Sequence, residues 1–191
     1  MVEALEQLDK EVFVYLNNMH SPFWDVIMVF VSEKLVWIPF YLGLIGYLVW
    51  RYRRQSIPML LMVIIAIGLA DFIASGLMKP YFMRLRPCHD PTLAEVINIV
   101  EGCGGKYGFI SSHAANTFAL AVFFNLILSD RYLIFKVVLV AWAVVVTYSR
   151  IYLGVHFPAD VILGALLGSV LAFLASLAYS KLLQRYSYFR P

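Results

Sequence analysis

Apolar and polar positions alternate in long blocks along this chain, leaving five hydrophobic runs at residues 35–50, 57–78, 112–128, 133–148 and 158–179. Each run approaches the roughly twenty residues an α-helix needs to cross a bilayer. Ahead of them, Leu5, Leu8, Val12, Tyr15 and Leu16 share a helical stripe, and Glu3, Glu6 and Glu11 give residues 2–16 an acidic opposite face. That is the pattern of a helix lying in the membrane interface. Polar residues 17–22 break it, and residues 23–31 are apolar but too short to span alone. The pattern leaves open whether residues 11–31 cross, dip in or lie flat. Polar residues collect in one long connection, 79–110. The expected fold is all-α: an integral membrane bundle of five to six transmembrane helices with an N-terminal amphipathic, interfacial segment (1–31), forming a single domain over 1–191.

Composition strengthens this reading. With 62% hydrophobic and 14% charged residues, the chain lies far from a soluble globular composition. The first twenty residues carry Glu3, Glu6, Asp9 and Glu11 and lack the basic-then-apolar order of a cleavable leader. A formal charge of +3 gives no basis for a nucleic-acid partner, and its placement says more than its size. If the five runs alternate in direction, Arg51, Arg53, Arg54, Arg131, Lys136, Lys181, Arg185 and Arg190 fall on one side, which is then cytoplasmic. Lys79, Arg84, Arg86, Lys106 and Arg150 fall on the other, against the trend, and an anion to bind would account for them. Loop 79–110 is then extracytoplasmic.

The densest chemistry sits between the last two runs, where Arg150, His156 and Asp160 share one junction. Ionisable residues at a membrane span are costly and point to a functional site. Pro158 suits the first turn of a helix, so the last span begins near it. Four residues separate His156 from Asp160, which puts them on one face if that turn reaches back to His156. The carboxylate can then hold one ring nitrogen and leave the other as a base or nucleophile. The planar fork of Arg150 suits bidentate binding of phosphate. Taken singly, the arginine also fits snorkelling, the aspartate a cap and the histidine a loop. The same alternation brings Lys79, Arg86, Ser111 and His113 to the membrane face that carries Arg150 and His156.

Three stretches then resemble one family. Lys79-Pro-Tyr-Phe-Met-Arg-Leu-Arg86-Pro87 matches K-x6-R-P, Ser111-Ser112-His113 resembles P-S-G-H, and Ser149-Arg150 with His156 and Asp160 matches S-R-x5-H-x3-D. In this order they resemble the type 2 phosphatidic acid phosphatase (PAP2) superfamily, which also holds soluble acid phosphatases and vanadium haloperoxidases. The resemblance implies a membrane lipid phosphatase in which His156 attacks phosphorus, Asp160 orients its ring and His113 protonates the leaving oxygen. Lys79, Arg86, Arg150, the Ser111 hydroxyl and the Ser112 N–H would hold the phosphoryl oxygens. It implies no metal, no cofactor and no obligatory protein partner. The substrate would be a membrane lipid phosphate, of the undecaprenyl pyrophosphate, lipid A phosphate or phosphatidylglycerol phosphate class. The location would be a bacterial inner membrane, with the site facing the periplasm. A non-hydrolytic lipid-binding or lipid-moving protein and a vanadate-dependent enzyme are the competing readings.

The match departs from the pattern at Ile110, where the family often has proline, and at Ser112, where it usually has glycine. Cys88 and Cys103 both fall in the extracytoplasmic loop, where a bridge would persist and pin Arg86 near Ser111. Between them, residues 101–108 are glycine-dense and expected to be turn-rich and mobile. Asp71, inside the second run, suits a hydrogen bond to a neighbouring helix, and Asn116, Thr117 and Asn125 suit helix packing. Arg84 is expected either at a substrate headgroup or out in solvent or lipid. His20 and His89 receive no role.

Overall fold

The structure, a computed structural model, describes residues 2–185; the basic, aromatic end of the chain at 186–191, Arg190 included, lies outside the described residues. Eight α-helices follow one another: α1 (Val2–Asn17), α2 (Pro22–Ser32), α3 (Ile38–Tyr52), α4 (Ser56–Asp71), α5 (Lys79–Phe82), α6 (Ser112–Ile127), α7 (Leu133–Tyr152) and α8 (Pro158–Arg185). No strand occurs among the described residues, only an isolated antiparallel bridge between Leu85 and Tyr107. The interfacial region is therefore two helices. At 1.5 Å per residue the eleven residues of α2 reach only about 16 Å, half a bilayer. The apolar stripe of α1 faces outward, with Leu5, Leu8 and Tyr15 more than half exposed, while Phe13 and Asn17 are buried against the bundle.

The second run extends further than its hydrophobic pattern indicates. After α4 the rod widens into a π-helical stretch, Phe72–Met78, and continues as α5, so Lys79 sits on a helix and not at a loop start. The wide turn lies directly ahead of Pro80, whose ring and missing N–H forbid a regular bond to the carbonyl four residues back. A left-handed Met83 (φ +46°) ends the rod. Between α3 and α4 the reversal is made at Arg53 (φ +51°), and Leu44 and Leu48 pack back on Met59 and Val63.

Helix α6 occupies the centre. Ala114, Ala115, Ala119, Leu120, Ala121, Phe123 and Phe124 are buried all round it, which fits its lack of a polar face. Its small residues exist for α8: a side chain at Gly164 would collide with the Ser111 carbonyl and one at Gly168 with the Ala115 carbonyl. The two backbones touch, the small-residue solution for helices in lipid. This contact fixes the N-terminus of α6 against the N-terminus of α8. Ile64, Leu69, Ile134, Val138, Leu166 and Phe173 cover the outside, at least two-fifths exposed each. Three apolar stretches of helix, Leu35–Phe82, Asp130–Tyr152 and Pro158–Arg185, are long enough to cross a membrane. A soluble protein would not leave such a surface uncovered, so this is a multi-pass membrane protein.

Candidate active site

Every residue singled out from the motifs lies at the same end of the bundle. Lys79 ends the α4 rod, Ser111 and Ser112 start α6, His113 is in its first turn, Arg150 lies in the last turn of α7 and His156 and Asp160 flank Pro158 at the start of α8. Asp25 at the head of α2 accepts from the Tyr152 hydroxyl at 2.6 Å, while buried Asn17 at the end of α1 donates to the Tyr152 carbonyl at 2.7 Å. Together they fix the 150–157 corner. Gly154 makes its turn with φ +78°, a conformation that favours glycine.

His156 is 1% exposed, and its Nδ1 lies 3.4 Å from Asp160 Oδ2. The same oxygen accepts the Phe157 N–H at 3.0 Å, so the carboxylate both caps α8 and faces the ring. Nε2 carries no protein partner among the described residues. Burial is the main influence on this imidazole and lowers its pKa to about 4; Asp160 works in the opposite direction, and Arg86 and Arg150 add to the lowering. His156 is therefore an uncharged ring at neutral pH, as a nucleophile requires.

The cations surround it. Arg86 donates to the Val155 carbonyl at 3.3 Å, and Arg150 donates to Ser32 Oγ. In both guanidinium groups the Nε–H is buried and has no acceptor. A buried donor left unsatisfied costs about 1–3 kcal/mol, a cost that the oxygens of an anion would offset if they met these two groups. Lys79 Nζ lies 3.5 Å from Ser112 Oγ, and Lys79, Arg150, Lys34 and His156 are all within electrostatic reach of His113. Ser111 is wholly buried and its Oγ accepts the Ala114 N–H, which makes it the cap of α6. Its own N–H donates to the Asp160 carbonyl at 3.0 Å, tying the second motif to the third.

Cys88 and Cys103 are bridged, with their Cα atoms 5.9 Å apart. They and His89 form a compact His/Cys/Asp/Glu group among the described residues, but the bridge consumes both thiols as metal ligands. The glycine-dense segment bends repeatedly, as expected. Its end is laid along the first motif, with Arg86 N–H donating to Lys106 at 3.1 Å and Gly108 N–H to Arg84 at 2.9 Å. A Cβ at Gly108 would stand 3.1 Å from both Arg86 Cγ and Asp160 Oδ2, so glycine there permits a close approach.

Other positions sort themselves clearly. Asp71 accepts from Asn116 on α6 at 3.2 Å, and Asn125 donates to the Lys136 carbonyl on α7 at 3.2 Å, both links between helices. Arg84 departs from the solvent- or lipid-facing expectation: it points inward and pairs with Asp160 at 2.8 Å and Asp9 at 2.6 Å. Burial opposes its charge, yet the two carboxylates hold its pKa above the ordinary value. Sequence reasoning also missed Ser32 and Lys34, which no motif flags. A cavity of about 360 Å³ opens beside them, with Ser112 and His113 on its wall and Leu44, Leu48, Val63 and Phe124 further along it.

This geometry, an uncharged buried histidine held by a carboxylate and ringed by cations with unsatisfied donors, can bind a phosphoryl group and attack it. The lipid A 4'-phosphatase of Bacteroides thetaiotaomicron is 34% identical over 171 residues, covering 88% of this chain and 75% of that protein. The undecaprenyl-diphosphatase of Sulfolobus acidocaldarius is 32% identical over 170 residues, covering 86% and 75%. The crystal structure of Aquifex aeolicus LpxE superposes with a TM-score of 0.67 at 27% identity, covering 88% of this chain and 94% of that one. The model of the PAP2 superfamily matches residues 55–184, which take in all three motif stretches and the four helices that carry them, and the chain belongs to that superfamily.

Proposed function

We propose that the protein is a lipid phosphatase that cleaves a phosphate monoester or diphosphate of a membrane lipid through a phosphohistidine at His156. The observation that carries this is the His156–Asp160 pair beside two arginines with unsatisfied buried donors, with His113, which lines an apolar cavity, within electrostatic reach of His156, Lys79 and Arg150. Nε2 of His156 attacks phosphorus and the bond to the lipid oxygen breaks, that oxygen taking a proton from His113. Water then attacks the phosphohistidine, gives a proton to His113 and releases inorganic phosphate. Lys79, Arg86 and Arg150, with the Ser111 hydroxyl and the Ser112 N–H, neutralise the charge that spreads over the equatorial oxygens. No step calls on a metal or cofactor.

The apolar cavity suits a hydrocarbon tail while the phosphate stays at headgroup level. Resemblance to a lipid A 4'-phosphatase and to an undecaprenyl-diphosphatase supports a lipid A phosphate or a polyprenyl phosphate as the substrate. The basic residues at the far end of the helices support a bacterial inner-membrane location with the site on the periplasmic side. The test is phosphate release by purified protein in detergent, with chelator, from a panel of these three lipid classes. Release that His156→Ala abolishes is expected. Release that persists in the variant overturns the nucleophile, and none from any lipid turns the reading towards a headgroup receptor.

A further inference from the structure

We propose that Asp9 and Arg84 are positioning residues of the reaction, acting on His156 through Asp160; this rests on His156 being the nucleophile. Asp160 has one oxygen on the histidine side and one away from it. The first, Oδ2, accepts the Phe157 N–H at 3.0 Å and faces Nδ1. The second, Oδ1, takes Nη1 of Arg84 at 2.8 Å. A carboxylate held at both oxygens cannot rotate about its terminal torsion, which is otherwise broad. The plane of Asp160, and with it the orientation of the imidazole, is thereby fixed.

Arg84 is held in turn. Its Nη2 donates to Asp9 Oδ2 at 2.6 Å, and its guanidinium lies over the Phe157 ring at 4.3 Å. Asp9 Oδ1 accepts the Ala159 N–H at 2.9 Å, one of the free donors in the first turn of α8. The relay is well shielded: the side chains of Arg84, Asp9 and Asp160 are 23%, 11% and 0% exposed. Helix α1, which carries none of the motifs, is thus bonded to the helix start that presents the nucleophile.

The charges make sense only as a set. The groups acting on His156 are Asp160 of α8, Arg86 of the loop, Arg150 of α7 and His113 of α6. Asp160 supplies the negative charge in that ring, and an arginine paired to it alone would cancel that charge. Asp9 cancels the arginine instead, so the relay keeps a net charge of −1 while gaining its rigidity. The imidazole retains a counter-charge for the moment it becomes a positively charged phosphohistidine.

Two substitutions test this by sign. Asp9→Asn keeps an oxygen for the Ala159 N–H but removes a negative charge, and Arg84→Gln removes a positive one. The acid limb of the kcat/KM profile is expected to move down in pH for the first and up for the second, each by roughly half a unit to one unit. Both should lose kcat by roughly 10- to 100-fold, the range for outer partners of a functional side chain, with KM little changed. Arg84→Lys reaches one carboxylate only and should restore less than half of the loss. Profiles that superimpose on wild type, or shift in the same direction, overturn the proposal. If Arg84→Gln is not monodisperse in detergent, Asp9→Asn alone decides by the direction of its limb. His156→Ala runs alongside: activity surviving there overturns the nucleophile and the relay with it, whereas superimposed profiles beside an inactive His156→Ala overturn the relay alone.

Discussion

Gly164→Ala adds one methyl group and should cost the protein most of its activity. In the structure that methyl would meet the backbone carbonyl of Ser111, with Ala114 Cβ also within 3.2 Å. The carbonyl belongs to a helix and cannot turn aside, so α6 and α8 must part by roughly 1 Å at this level, and displacements of that size cost about 100-fold in rate. They part at the point where Ser111 and His113 face Asp160 and His156. The overpacking itself costs about 1–3 kcal/mol. For a chain of this size each kcal/mol lowers Tm by about 2–4 °C. Gly168→Ala is the partner experiment, because it strikes the Ala115 carbonyl one turn deeper. It should bring a similar loss of Tm with a smaller loss of kcat. Phosphate release and thermal unfolding in detergent read both. A Gly164→Ala protein with wild-type kcat and Tm would refute the close approach of the two helices and the account of how the site is aligned.

The pKa of His156 falls from 6.5 to about 4 on folding, so the ring contributes nothing to stability above 6.5 and a growing penalty as pH drops towards 4. At one unit per 1.36 kcal/mol that penalty reaches about 3 kcal/mol; His156→Gln should therefore flatten the decline in Tm between those pH values, and an unchanged slope would count against a buried neutral ring. The Cys88–Cys103 bridge spans 15 residues, a loop whose closure is worth about 3 kcal/mol in the chain-entropy account. Reductant, or Cys103→Ser, should lower Tm and raise KM as Arg86 loosens, and full thiol labelling without reductant would disprove the bridge.

Much of the fold was legible because hydrophobic run length and the three motifs report directly on spans and on phosphate chemistry. The alternation of spans alone brought Lys79, Arg86, His113, Arg150 and His156 to one face. What could not be read were partners set by tertiary packing. Arg84 carries no periodic signal of direction, and its two carboxylates are 75 and 76 positions away in sequence. Asp9 looked like one more acid on a polar face until α1 docked on α8. Gly108 sat in a stretch whose composition indicates mobility, and only its packing on Asp160 gives the glycine a reason. Lys79 was placed at the start of the connection because the apolar run stops at Met78, whereas the helix carries on past it to Phe82.

The central claim is that His156 bonds covalently to phosphorus. Wild-type protein mixed with a lipid phosphate, quenched in alkali within the first turnover and digested, should yield the peptide containing His156 heavier by one phosphoryl group. His156→Ala should yield none, and adding chelator should change neither result. Robust turnover with the phosphoryl group never found on His156, or found elsewhere, would contradict the account.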